Sequence, residues 1–282
     1  NPLEFMLITG SLMVLVIVAK VTLKEYFAKH LFLAILAWLT FFTLMEMSIY
    51  LNVIKTILLS SPTAVLWKLQ YHLDKGYLLI NSAHSLQRIV FGFGLGIILA
   101  IPFGILFGFF NKLYEWISPL ANFIRMVPPP AIMPFAIIAF GLGEIPKIFV
   151  ITLGSFFPIF LATIRGVRET ETIHREVIET MGGSNMDVLV HAVIPSAIPS
   201  IMTGIRIGFG IGWLVLISAE LIGGDSGLGF MIQGARMRLD MATVFMGMGI
   251  ICIFGVIIDF ALKKMERYFT RRKRGGADYI YY

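Results

Sequence analysis

Ile89–Phe110 reads IVFGFGLGIILAIPFGILFGFF, 22 residues without one charged side chain. About 20 apolar residues in a helix cover the ~30 Å hydrocarbon core of a bilayer, so this stretch is long enough to cross a membrane. It is continuously apolar, whereas a barrel strand alternates with period two over about ten residues, and the run therefore predicts a helix. Six further apolar runs surround it, near Leu3–Ala19, Leu31–Leu51, Ile117–Phe140, Ile148–Ile164, Ile201–Ile222 and Met241–Leu262. Seven spans in an all-α polytopic membrane protein are expected.

The composition of the whole chain agrees. Its 282 residues are 57% hydrophobic and 14% charged, with a mean hydropathy of +0.85. Soluble domains run at about 45–50% apolar and 25% charged, and could not hide this much apolar surface inside one core. The single cysteine, Cys252, excludes an intrachain disulfide framework and reads as a small packed hydrophobe within an apolar run.

The net charge of +6 has a topological explanation. Lys263, Lys264, Arg267, Arg271, Arg272, Lys273 and Arg274 follow the last run, which places the C-terminus in the cytoplasm and, with seven spans, the N-terminus outside. On this assignment Lys20, Lys24, Lys29, Lys112, Arg165, Arg168 and Arg175 also fall inside, making 14 basic residues with the tail. Seven fall outside: Lys55, Lys68, Lys75, Arg88, Lys147, Arg236 and Arg238. No nucleic-acid partner is needed to explain the charge. Glu4 precedes the first run and no small-residue cleavage site follows it, so that run reads as a retained helix. Residues 61–88 mix Trp67, Leu69, Tyr71 and Leu73 with Lys68, His72, Asp74 and Lys75, which predicts a surface helix at headgroup level.

Small residues mark close packing. Gly92, Gly96, Ala100, Gly104 and Gly108 recur every four positions, and Gly204, Gly208 and Gly212 repeat the device. The fourth run holds Arg125-Met126-Val127-Pro128-Pro129-Pro130 and then Pro134, which removes several backbone donors, so its helix must kink or break. Unpaired backbone at membrane depth is tolerated only against protein or a watery cavity, and an intramembrane charge faces the same places. Arg125, Met126, Pro128 and Pro129 are therefore candidate pathway residues, together with Trp213 and Glu220 further along. Glu46 and Asp259 are the other acids in or near the runs, Asp259 close enough to the cytoplasmic end to be solvated.

Residues 165–199 form the longest polar break. Glu169 and Glu171 suit the start of a helix running toward Met181, Gly182-Gly183 ends it, and Ser184-Asn185-Met186-Asp187 has the cap spacing for another that stops before Pro195. The segment is net acidic, against the trend of the other cytoplasmic loops, and two short helices about a glycine turn make a knob suited to docking. Its pattern Glu176-Val177-Ile178, Gly182, Ile194-Pro195 resembles the Glu-Ala-Ala…Gly…Ile-x-Leu-Pro loop of ATP-binding-cassette (ABC) importer permeases. Val177 and Ile178 replace both alanines, and Ala192 stands where isoleucine is usual.

Ser61-Pro62-Thr63, Arg125-Met126-Val127-Pro128 with Pro134, Phe140-Gly141-Leu142-Gly143, Phe157-Pro158-Ile159, Ala219-Glu220 and Ser226-Gly227-Leu228-Gly229-Phe230 extend the likeness to the nitrate/taurine/alkanesulfonate branch. It covers residues 61–274, leaving residues 1–60 as N-terminal helices, one of them extra to the branch pattern, and 275–282 as a tail.

The resemblance implies a type I ABC importer fold in a bacterial inner membrane, in which two permeases, expected to be identical, enclose one pathway. Two cytoplasmic ATPases and a periplasmic or lipid-anchored binding protein complete the assembly, with ATP and Mg held by the ATPases. Glu176, Glu179, Gly182, Gly183, Ser184, Asp187 and Pro195 would form the ATPase-coupling element. The solutes of the branch are mainly small oxyanions such as organosulfonates, taurine, nitrate and bicarbonate. The chain has no G-x-x-x-x-G-K-[ST] phosphate loop, in keeping with a subunit that borrows its energy.

A gradient-driven carrier or channel is the competing expectation, and it requires mid-membrane ionisable residues and an inverted repeat, neither of which is evident. An intramembrane enzyme would need a nucleophile–base or metal constellation, and His30, His72, His84, His174 and His191 are scattered without such spacing.

Overall fold

The structure, a computed structural model, describes residues 9, 26–54 and 59–274. Every described element is helical: α1 (Tyr26–Tyr50), α2 (Pro62–Asp74), α3 (Tyr77–Phe109), α4 (Asn111–Ile124), a 3₁₀ turn (Pro129–Ile132) leading into α5 (Met133–Phe140), α6 (Glu144–Arg168), α7 (Thr172–Thr180), α8 (Asn185–Gly223), α9 (Leu228–Met237) and α10 (Met241–Arg274).

Among the described residues, α3, α6, α8 and α10 are long and apolar enough to cross a membrane, and α4 with Pro129–Phe140 makes a fifth passage bent by 81°. The sequence led to seven spans. The first, Leu3–Ala19, falls outside the described residues apart from Thr9. In the second, the apolar stretch of α1 is Leu36–Tyr50, shorter than a crossing requires. The chain forms two compact units, residues 1–80 with 231–250 and residues 81–230 with 251–282.

In the first unit, the hydroxyl of Ser61 caps α2 by accepting the Ala64 N–H at 3.3 Å, and Pro62 occupies the first turn, where no donor is needed. Glu46 of α1, 2% exposed, accepts from the Thr63 N–H at 3.2 Å and the Thr63 hydroxyl at 2.7 Å. The carboxylate of one helix thus closes the positive end of the next. One face of α2 sends Lys68 to Asp240 at 2.7 Å and sets His72 Nε2 3.2 Å from the Thr243 hydroxyl. Burial and the nearby Lys68 charge hold the His72 imidazole below its ordinary value. The other face leaves Leu66, Trp67 and Tyr71 exposed, with the last two rings stacked. That amphipathic division gives α2 the headgroup-level composition read from its sequence.

The second unit is organised by glycines. Gly92, Gly96, Gly104 and Gly108 of α3 face Ile151, Ser155, Thr163 and Val167 of α6, so near that an added Cβ would stand 2.6–3.0 Å from those side chains. Residue numbers rise together with a constant offset, so the two helices run parallel. The chain between Phe109 and Glu144 must then return across the same distance, which makes the bent pair a true passage. Gly204, Gly208 and Gly212 of α8 face Ala162, Ile159 and Ser155 in falling order, so α8 packs antiparallel to α6. Lipid tails give apolar helices no hydrophobic reason to associate, and close backbone approach supplies dispersion instead. Val150, Ile151, Ile159 and Leu216 are fully buried at these contacts.

Asp259, expected to be solvated, accepts from Arg206 Nε at 2.8 Å and Nη2 at 3.2 Å, linking α8 to α10.

Candidate functional site

The knob is built by three local devices. α7 ends in a Schellman turn: the Gly183 N–H reaches the Ile178 carbonyl at 2.9 Å and the Gly182 N–H reaches Glu179 at 3.0 Å. Gly182 has φ +80°, the left-handed region that an L side chain enters only with strain. Ser184 and Asp187 then form a capping box that opens the next helix.

That helix does not stop before Pro195 as expected. A π-helical turn at Leu189–Val193, in which the Ile194 N–H bonds the Leu189 carbonyl, precedes Pro195. The proline has no N–H for the carbonyl of His191 and its ring would crowd that carbonyl in a regular α-helix, so the wider turn accommodates it. α8 consequently runs unbroken from the knob to Gly223. Glu176, Glu179 and Asp187 are exposed, as are the apolar Ile173, Val177, Met181, Met186 and Val190. Apolar side chains ringed by carboxylates are the surface of an interaction site.

A cavity of about 380 Å³ lies beside the broken span. Arg125, Val127 and Pro129 line it from the break, Gly154, Phe157, Pro158, Leu161 and Arg165 from α6, and Ile207 and Ile211 from α8. It contains two arginines and no carboxylate. Met126 and Pro128 are exposed but do not line it, and Trp213 and Glu220 lie elsewhere. Trp213, 7% exposed, packs on Phe209 and lies against Gly255. Its place is in the core, where its bulk fills the gap that a glycine leaves.

Glu220, 1% exposed, belongs to a polar node at the end of this unit opposite the knob. Arg88, counted from sequence as a loop charge, is 1% exposed within α3. Its Nε and Nη2 donate to the two Glu144 oxygens at 2.6 Å each, a bidentate pair, and its Nη1 donates to Glu220 at 2.8 Å and to the Ser226 carbonyl at 2.7 Å. Lys147, also assigned to a loop from sequence, is fully buried and donates to Asp225 at 2.6 Å and Glu144 at 3.2 Å. The Gly227, Leu228 and Gly229 N–H groups that open α9 donate to Asn81, Ser85 and Glu220. Gly227 has φ +106°, and a Cβ there would collide with the Glu220 carboxylate, which explains the glycine in Ser226-Gly227-Leu228-Gly229. Asn81, Ser85, Arg88, Glu144, Lys147 and Asp225 were not singled out from the sequence. The pairing of Glu144 with Lys147 three residues later was the one local signal.

Comparison with known proteins is consistent with this architecture. The family described as "Binding-protein-dependent transport system inner membrane component" matches residues 92–272. The taurine transport system permease protein of Escherichia coli is 34% identical over 188 residues, 67% of this chain and 68% of that protein. The bicarbonate transport system permease protein of Synechococcus elongatus is 34% identical over 200 residues, 71% of this chain and 72% of its own. Among solved structures, the MetNI methionine ABC transporter in an inward-facing conformation superimposes with a TM-score of 0.61 at 19% identity, covering 70% of this chain and 97% of that one. A match over most of the chain, on a helical bundle of the same fold, has one reading: the chain belongs to the binding-protein-dependent transport system inner membrane component family, the permease subunits of ABC importers.

Proposed function

We propose that this permease carries a small anion of the sulfonate or bicarbonate class through the cavity beside Arg125 and Arg165. The cavity's charge is the observation that supports this: two guanidiniums and no carboxylate among its lining residues. Planar guanidinium groups pair with oxyanions bidentately, and about 380 Å³ lies within the ~300–1,000 Å³ range of small-molecule sites. The relatives named for taurine and bicarbonate are compatible with such a solute.

In this reading two copies of the chain enclose the pathway, the basic tail and the knob face the cytoplasm, and the N-terminus lies outside. Glu176, Glu179, Gly182, Gly183, Ser184, Asp187 and Pro195 present the docking surface for an ATPase that holds the ATP and Mg. A binding protein delivers solute at the opposite end. Closure of the ATPases moves the knob and shifts the permease between inward- and outward-facing populations.

The test is uptake by proteoliposomes holding the permease with its ATPase and binding protein, using labelled taurine, bicarbonate and a cationic control. Taurine or bicarbonate accumulates, and Arg125→Ala with Arg165→Ala lowers the rate roughly tenfold, the loss of one charge-assisted contact of ~1.5–3 kcal/mol. Preference for the cation, or unchanged anion uptake in the double variant, overturns the assignment.

A further inference from the structure

α8 spans 39 residues from Asn185 in the knob to Gly223, about 58 Å at 1.5 Å per residue. Glu220 stands near its far end, and what it meets there is the node of Arg88 and Lys147. Taking ions out of water costs several kcal/mol each, and apolar residues of similar size could hold the same helices without that cost. Stability alone therefore does not account for the node. Directional bonding does: the Arg88 fork engages α6 through Glu144, α8 through Glu220 and the following loop through Ser226, each in a fixed direction. A joint of this kind is made or broken as a unit, whereas apolar side chains slide past one another.

We propose that Arg88 and Lys147 are positioning residues for transport, locking the ends of α3, α6 and α8 opposite the knob, with the Gly224–Gly227 loop, into one rigid joint. A displacement imposed on the knob then travels along α8 and moves this joint as a body, instead of being lost in bending of the helix. The inference rests on the knob being the ATPase-docking element.

The experiment uses the complete complex in lipid nanodiscs and proteoliposomes, with Arg88→Lys, Lys147→Met and Asp225→Asn compared against Gly182→Arg. Three quantities are read: ATPase copurification, basal ATP hydrolysis, and solute carried per ATP. Arg88→Lys and Lys147→Met are expected to copurify and hydrolyse ATP at the basal rate while solute per ATP falls roughly tenfold, the size of a typical coupling free energy. Asp225→Asn, which alters a largely exposed partner and keeps the fold, gives a smaller fall in the same ratio. Unchanged solute per ATP in Asp225→Asn and in either folded cation variant overturns the joint. Unimpaired copurification of Gly182→Arg would instead count against the docking reading, so the two failures are distinguishable.

Discussion

Gly104 of α3 stands so close to Thr163 of α6 that an added Cβ would lie 2.6 Å from the Thr163 Cβ. The threonine is branched at that carbon and fully buried, so neither helix can yield without moving apart. Gly104→Val should destabilise by about 1–3 kcal/mol through overpacking. Thermal unfolding in detergent reads this as a drop of several degrees. Gly94→Ala, where an added Cβ meets nothing within 4 Å, should leave the midpoint in place, and an equal drop in both would refute the packing register.

Gly182 is constrained by conformation and not by space, since an added Cβ would meet nothing within 4 Å at φ +80°. Gly182→Ala should then cost roughly 1–2 kcal/mol of local order in the knob. Gly182→Asn should be milder, because asparagine tolerates the left-handed region. Affinity of the ATPase for the permease, titrated in nanodiscs, should rank glycine above asparagine above alanine. Equal affinities would show that the turn does not shape the docking surface.

Glu46 closes the N-terminus of α2 through the Thr63 N–H and hydroxyl. Glu46→Ala leaves these groups without their acceptor, at a cost of about 1–3 kcal/mol. Amide hydrogen exchange over residues 62–66 should accelerate while the second unit keeps its protection. Unchanged exchange would show that Ser61 alone caps the helix.

Lys147 donates a 2.6 Å bond to Asp225 and holds its carboxyl at about 2, below the ordinary 3.8. The folded value is the lower one, so the unfolded chain binds more protons across this interval and stability rises with pH. The contribution is complete above about pH 4 and is lost as the pH falls toward 2. Solvent around the exposed carboxylate keeps its size small. Thermal midpoints measured over this interval should show a shallower slope for Asp225→Asn than for the unaltered chain. Parallel slopes would mean that the bond does not persist in solution.

How much of this was legible in the sequence depended on the range of the determinants. The knob's Schellman turn and capping box are encoded within a few residues, at Gly182-Gly183 and Ser184–Asp187, and so could be read directly. The break after Ile124 was legible because Pro128, Pro129 and Pro130 each remove a backbone donor wherever they fold. Pro195 misled for the same reason: a missing donor says that a regular turn must change, and here it changed to a π turn without ending the helix. Arg88 was illegible. It sits one residue before an apolar run, and its partners Glu144 and Glu220 lie 56 and 132 residues further on, so only the folded chain brings a compensating carboxylate to it. Trp213 and Glu220 were read as pathway residues because sequence places a residue in a span but does not say which neighbour its side chain faces.

The central claim is that solute crosses this bundle under control of an ATPase acting on the knob. Its most direct test is solute accumulation in proteoliposomes containing the permease, with ATPase, internal ATP and external binding protein supplied or withheld one at a time. The account predicts accumulation only with all three present, abolished by Gly182→Arg. Accumulation by the permease alone under an imposed proton or sodium gradient would contradict it.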